Sequence, residues 1–142
     1  MNATTGTSST AGKFSSTFSL GSSIFKKTDP AFASVLSKKS LSAYRFGKKK
    51  PGFTQTVSVR SPYIYAEMNW SDDMELAATT LYNTSRKIDY QAESYAFAQI
   101  EKLTPWLGSD TAAHYQWYPF INAGHFELAK QLTGTSRNTI IG

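Results

Sequence analysis

The stretch Asn69-Trp70-Ser71-Asp72-Asp73-Met74-Glu75-Leu76-Ala77-Ala78, continued by Leu81-Tyr82, decides the fold class. Met74, Ala77, Ala78 and Leu81 recur at the three- and four-residue spacing of one helix face. Asp72 and Asp73 fall in the first turn, where the positive end of the helix dipole stabilises acids whatever the function. The spacing predicts a helix from about Ser71 to Thr84-Ser85.

Upstream, Phe53 to Tyr65 contains the alternating run Thr54-Gln55-Thr56-Val57-Ser58-Val59, broken by Ser61-Pro62. It reads as an extended loop with at most a short strand pair. Before it, Phe14, Phe18, Gly21 and Phe25 predict a helix from Ala11 to Lys27 with those residues as its apolar face. Thr28-Asp29-Pro30 then closes one helix and opens the next, because Asp29 suits an N-cap and Pro30 the first helical position. The second helix uses Phe32, Val35, Leu36, Ala43 and Phe46, and Gly47 with Pro51-Gly52 is expected to stop it.

Downstream, a fourth helix is expected from Tyr90 to Leu103, with Ala92, Tyr95, Ala96, Ile100 and Leu103 inward and Pro105 ending it. Pro119 is expected to start a fifth, carrying Ile121, Gly124, Leu128 and Leu132 on one face, with Gly134 as its stop. His125 reads as packing, since Ile121 and Ala129 flank it one turn away on either side. The layout is all-α: antiparallel helical hairpins separated by long loops, of the kind that closes into a toroid or coils into a solenoid. No strict repeat is visible, which weighs against a regular repeat family. The apolar, uncapped end Thr139-Ile140-Ile141-Gly142 and a last helix without a following partner suggest truncation.

The totals narrow the chemistry. A chain of 142 residues suits one domain. With no Cys there is no disulfide framework or thiolate metal site, and His114 and His125 are badly spaced for a pair on one helix. No apolar run is long enough for a membrane span, so no membrane partner is expected. Residues 1–10 form a flexible polar N-terminus without the charged and apolar regions of a signal peptide. The net charge of +5 gathers at Lys26-Lys27, Lys38-Lys39 and Lys48-Lys49-Lys50. Such runs suit the last turns of helices, and no nucleic-acid motif accompanies them, so no nucleic-acid partner is expected.

Two loops carry the side chains of a carbohydrate cleft. The first, Arg60 to Asp73, holds Arg60, Tyr63, Tyr65 and Trp70; the second, Trp106 to Tyr118, holds His114, Tyr115 and Trp117. Aromatic rings stack on the apolar faces of sugars while polar tips bond hydroxyls. Each residue also has an ordinary structural use, such as Trp117-Tyr118 packing on the helix begun by Pro119.

The quoted stretch resembles the W-x-D-D-M-E-L-A-A-x-x-L-Y helix start of family 9 glycoside hydrolases. Asp110 to Phe120, with Asn122, Gly124-His125 and Leu128-Ala129, resembles a later stretch of that family, and Ser9 to Phe14 the start of an earlier helix. The resemblance implies that residues 11–142 are part of an (α/α)6 toroid of a secreted or periplasmic enzyme that hydrolyses β-1,4-glucan with inversion. Inversion needs a carboxylate base and a carboxylic acid about 6.5–9.5 Å apart. In the family the base precedes the region matched here and the acid follows it, so no residue of this chain matches either. The chain alone is therefore expected to be inactive, a scaffold and cleft wall that relies on the remainder of its own catalytic domain. Trp70, Tyr115, Trp117 and His114, backed by Tyr63, Tyr65 and Arg60, are the expected sugar contacts. Some members hold a structural calcium beside the segment matching Asp72-Asp73-Met74, which makes Asp72 and Asp73 candidate ligands, although a further Asp of those members falls on Tyr118. No other cofactor is implied. A competing expectation is a freestanding helical module that binds carbohydrate or protein without catalysis.

Overall fold

The computed structural model describes residues 3–55, 69–100 and 122–141. Among them the chain is all-helical: α1 (Ser8–Phe25), α2 (Pro30–Lys49), α3 (Ser71–Ser85), α4 (Ile88–Ile100), α5 (Ala123–Ala129) and α6 (Gly134–Ile141). The expected extended run after Gln55, the inward Leu103 and Ile121 and the helix start at Pro119 lie outside the described residues.

The turn between α1 and α2 forms as its residues dictate. Asp29 caps α2 by accepting from the Phe32 N–H at 2.9 Å, and Pro30 occupies the first turn. The helix α1 begins at Ser8 rather than Ala11, because the preceding backbone is tied to the chain beyond α2: the Thr5 N–H donates to the Phe53 carbonyl and the Ser8 N–H to that of Gly52, both at 2.9 Å. Gly47 does not stop α2; it lies buried inside the helix, against Met74 and Ala11, and α2 runs on to Lys49 before Pro51. Lys48 and Lys49 occupy its last turn as expected, whereas Lys38 and Lys39 sit mid-helix on the exposed face.

The faces of α1 and α2 are where sequence periodicity misled. Ser8, Ser9, Ala11, Gly12, Ser15, Ser16 and Ser19 are the buried face of α1, and Ala33, Leu36, Ser40, Tyr44 and Gly47 that of α2. Phe14, Phe25, Phe32, Val35 and Phe46, expected inward, are exposed. The reason is close approach. Small side chains let hydroxyls reach the carbonyls of the facing helix, which retain a second lone pair beside their own helical bond. Ser8 donates to Gly47 at 2.8 Å, Ser15 to Ser40 at 3.0 Å, and Ser22 to Ala33 at 2.9 Å. Each rung lies two helical turns, seven residues, from the next on both strands of this antiparallel pair.

α3 occupies the centre. Met74, Ala77, Ala78 and Leu81 are all buried, as their spacing predicts, and form the main core with Tyr44, flanked by Leu41, Trp70, Tyr90 and Phe97. On α4 the inward residues are Ser94 and Ala98, while Ala92, Ala96 and Ile100 face out. Again small residues win the interface: the Thr79 and Ser94 hydroxyls meet at 2.5 Å, and Ser94 donates to the Glu75 carbonyl at 3.2 Å.

The end of the chain also departs from expectation. α5 ends at Ala129, and Gly134, expected as its stop, instead opens α6 with a left-handed φ of 60°. The apolar terminal run belongs to that helix, and Ile140 is buried with Ala98, Leu128 and Ala129 in a smaller core.

Candidate functional site

α1, α3 and α5 run parallel, with α3 in the middle. The polar partners set the direction: Lys13 and Asp73 join α1 and α3 near their starts, and Ser19 and Thr84 join them further along. Glu75 meets His125 on α5, and the Gln131 side chain donates to Asn83 at 2.9 Å beyond it. The N-termini of three helices therefore share one end of the structure. The chain leaves that end after α2 and α4 and returns to it at α3 and α5, so both loops expected to carry sugar contacts are anchored there.

Trp70 stands at this end as the N-cap residue of α3, half-buried, with its ring edge-on to Phe97 at 6.0 Å between centroids. The capping work falls to its neighbour. Asn69 Oδ1 accepts from the Trp70 N–H at 2.7 Å, the Ser71 N–H at 3.2 Å and the Ser71 hydroxyl at 3.0 Å. Three donors on one carboxamide oxygen fix the point where the first loop enters α3. Arg60, Tyr63, Tyr65, His114, Tyr115 and Trp117 lie outside the described residues.

Asp73 accepts from Lys13 at 2.9 Å, and its backbone is pressed against Gly12 so closely that a Cβ there would fall 2.7 Å from the Asp73 carbonyl. Among the described residues no group of three or more acidic or histidine side chains surrounds Asp72 and Asp73. By themselves these residues do not make a calcium cage, which needs six or more oxygen ligands.

Sequence reading missed a buried contact between two ionisable side chains. His125 is not held by its own helix neighbours: its Nδ1 lies 2.6 Å from Glu75 Oε2, with the side chains 5% and 0% exposed. Gly124 makes the approach possible, since a Cβ there would lie 2.8 Å from Glu75 Cδ. A carboxylate beside an imidazole is the makeup of a general-base pair, but a carboxylate with no exposure cannot meet a substrate. The pair therefore clamps α5 to α3. The Glu75 in the quoted motif and the Gly124-His125 pair were the available signal, but nothing in one sequence joins positions 50 residues apart.

No helix among the described residues is long and apolar enough to cross a membrane. The sequence matches the profile of glycosyl hydrolase family 9 over residues 1–138. No curated protein matches the chain. Among solved structures, the cellulase Cel9M of C. cellulolyticum is similar, with a TM-score of 0.71 and 19% identity over 94% of this chain and 29% of that one. The all-helical arrangement matches that cellulase fold, and the chain spans less than a third of its length.

Proposed function

Given that the chain belongs to glycosyl hydrolase family 9, we propose that it is part of a glycoside hydrolase that cleaves β-1,4-glucan with inversion. In this reading residues 11–142 build part of an (α/α)6 toroid, and the base and acid carboxylates come from the remainder of the catalytic domain. The breadth of the family match, nearly end to end, carries the reading. The exposed apolar residues of the first hairpin, Phe14 and Phe25 among them, favour a larger body that covers them.

The role of this stretch is scaffold and cleft wall. Trp70, Tyr115, Trp117 and His114, with Tyr63, Tyr65 and Arg60, contact the sugar. Trp70 also packs on Phe97, so its ring is held in one orientation before substrate arrives. A calcium ion at Asp72 and Asp73 would draw its other ligands from outside the described residues. Secretion or a periplasmic location fits an enzyme whose polymeric substrate cannot enter a cell.

The test is hydrolysis of a soluble β-1,4-glucan by the intact protein carrying this stretch, with the anomer of the first product read by NMR. Release of the α-anomer supports inverting cellulase chemistry. The β-anomer would contradict inversion, and absence of hydrolysis would leave a binding module as the better account.

A further inference from the structure

An open pocket of about 340 Å³ lies between α2 and the start of α4. Tyr44, Arg45 and Lys48 line it from α2, and Lys87, Asp89, Tyr90 and Glu93 from the start of α4. The charges in it are not balanced. Glu93 is engaged twice, by the Tyr44 hydroxyl at 2.5 Å and by the Lys48 ammonium. Asp89 sits in the first turn of α4, where the helix dipole stabilises its charge. Arg45 and Lys87 have no ion-pair partner among the described residues. Arg45 and Lys87 therefore face the opening outside any ion pair, against the single carboxylate of Asp89, so the lining carries one positive charge in excess.

The walls add shape to that surplus. Tyr90 is half-buried, held edge-on against Tyr44 at 5.7 Å, and presents a fixed aromatic surface. The volume is at the small end for ligand pockets and suits a single pyranose rather than a chain. An Arg guanidinium takes a carboxylate in a two-point fork, and a nearby Lys adds a second charged donor. We propose that this pocket binds one acidic sugar unit, a hexuronate. Its carboxylate lies between Arg45 and Lys87, its ring against Tyr90, and a hydroxyl donates to Asp89. The site is built from α2 and α4 alone and does not depend on the catalytic reading.

The experiment is an isotope-labelled NMR titration of the intact protein carrying this stretch at low ionic strength with glucuronate, and in parallel with glucose, acetate and inorganic phosphate. Saturable shifts confined to the surroundings of Arg45, Lys87 and Tyr90, with glucuronate about tenfold tighter than glucose or acetate, are expected. Arg45→Ala, a change at an exposed position, should weaken glucuronate about tenfold and leave the remaining spectrum in place. Equal binding of glucose would overturn the acidic requirement. Equal binding of acetate or phosphate would overturn the sugar, leaving an unspecific anion spot. Absence of saturation would overturn the site itself.

Discussion

Ser15 and Ser40 exchange hydrogen bonds across the first hairpin: the Ser15 hydroxyl donates to the Ser40 carbonyl at 3.0 Å, and the Ser40 hydroxyl to that of Ser15 at 2.8 Å. Both side chains are fully buried, so neither hydroxyl has water to fall back on. Ser15→Ala and Ser40→Ala should each cost about 1 kcal/mol, the net worth of one such bond. The double variant should depart from additivity by about 0.5 kcal/mol or more, because the two hydroxyls share one site. Strict additivity in denaturant midpoints would mean that the two bonds act separately.

Gly12 and Gly21 lie on the same helix and should respond oppositely to alanine. At Gly12 the new methyl meets the Asp73 backbone at 2.7 Å, and backbone cannot swing away. Overpacking there should cost about 1–3 kcal/mol. At Gly21 the nearest atom is Leu36 Cδ1 at 3.2 Å, the movable end of a side chain. Gly21→Ala should therefore be neutral or gain up to about 1 kcal/mol from helix propensity. Thermal unfolding of the two variants side by side decides the matter; similar losses in both would argue against the close approach of α1 and α3.

Breaking the clamp between Glu75 and His125 should be costly. Removing the imidazole deletes a 2.6 Å contact to a carboxylate that has no exposure, and a loss of about 1–3 kcal/mol is expected for His125→Ala. Because this pair joins α5 to α3, amide exchange should accelerate in α5 and α6 before α1 and α2. Uniform acceleration would show that α5 is held elsewhere.

Tyr44 gives the structure an alkaline limit. Burial first, and then the Glu93 carboxylate that accepts its proton, raise its pKa above the usual value of about 10. The folded state thus binds that proton more tightly than the unfolded chain does. The resulting stability is complete below about pH 10 and is lost as pH rises above it toward the folded-state pKa. Unfolding followed from about pH 8 to about pH 11 should fall more steeply for the wild type than for Tyr44→Phe. Parallel curves would mean that Tyr44 ionises as freely folded as unfolded.

The positions of most helices were legible because their punctuation is local. Asp29-Pro30 both caps and starts α2, and the apolar rhythm of Met74, Ala77, Ala78 and Leu81 has one interpretation when nothing else competes. Burial was less legible in α1, α2 and α4, where hydrophobicity points the wrong way. Phe14 and Phe25 keep helical spacing yet face out, because Ser, Ala and Gly admit a closer and hydrogen-bonded contact. The heptad of Ser8, Ser15 and Ser22 against Ala33, Ser40 and Gly47 was present in the sequence, but only a search for small residues would have found it. α6 was missed for a different reason: a glycine in left-handed conformation can precede a helix as well as follow one. At the candidate site, motif reading found the start of α3 but not Lys13 or His125, whose partners come from other helices.

A ladder whose rungs repeat every seven residues carries a degeneracy. Sliding α1 along α2 by one full repeat would re-form two of the three hydroxyl–carbonyl rungs, so the rungs alone do not choose among registers. Hydrophobic cores resist such a slip by their irregular shapes, but this interface has few large side chains to supply one. Register must therefore be enforced from outside the ladder. The short Asp29-capped turn does so at one end, and the tie between Thr5 and Phe53 does so at the other. In this hairpin the interface provides cohesion, and the two ends provide alignment.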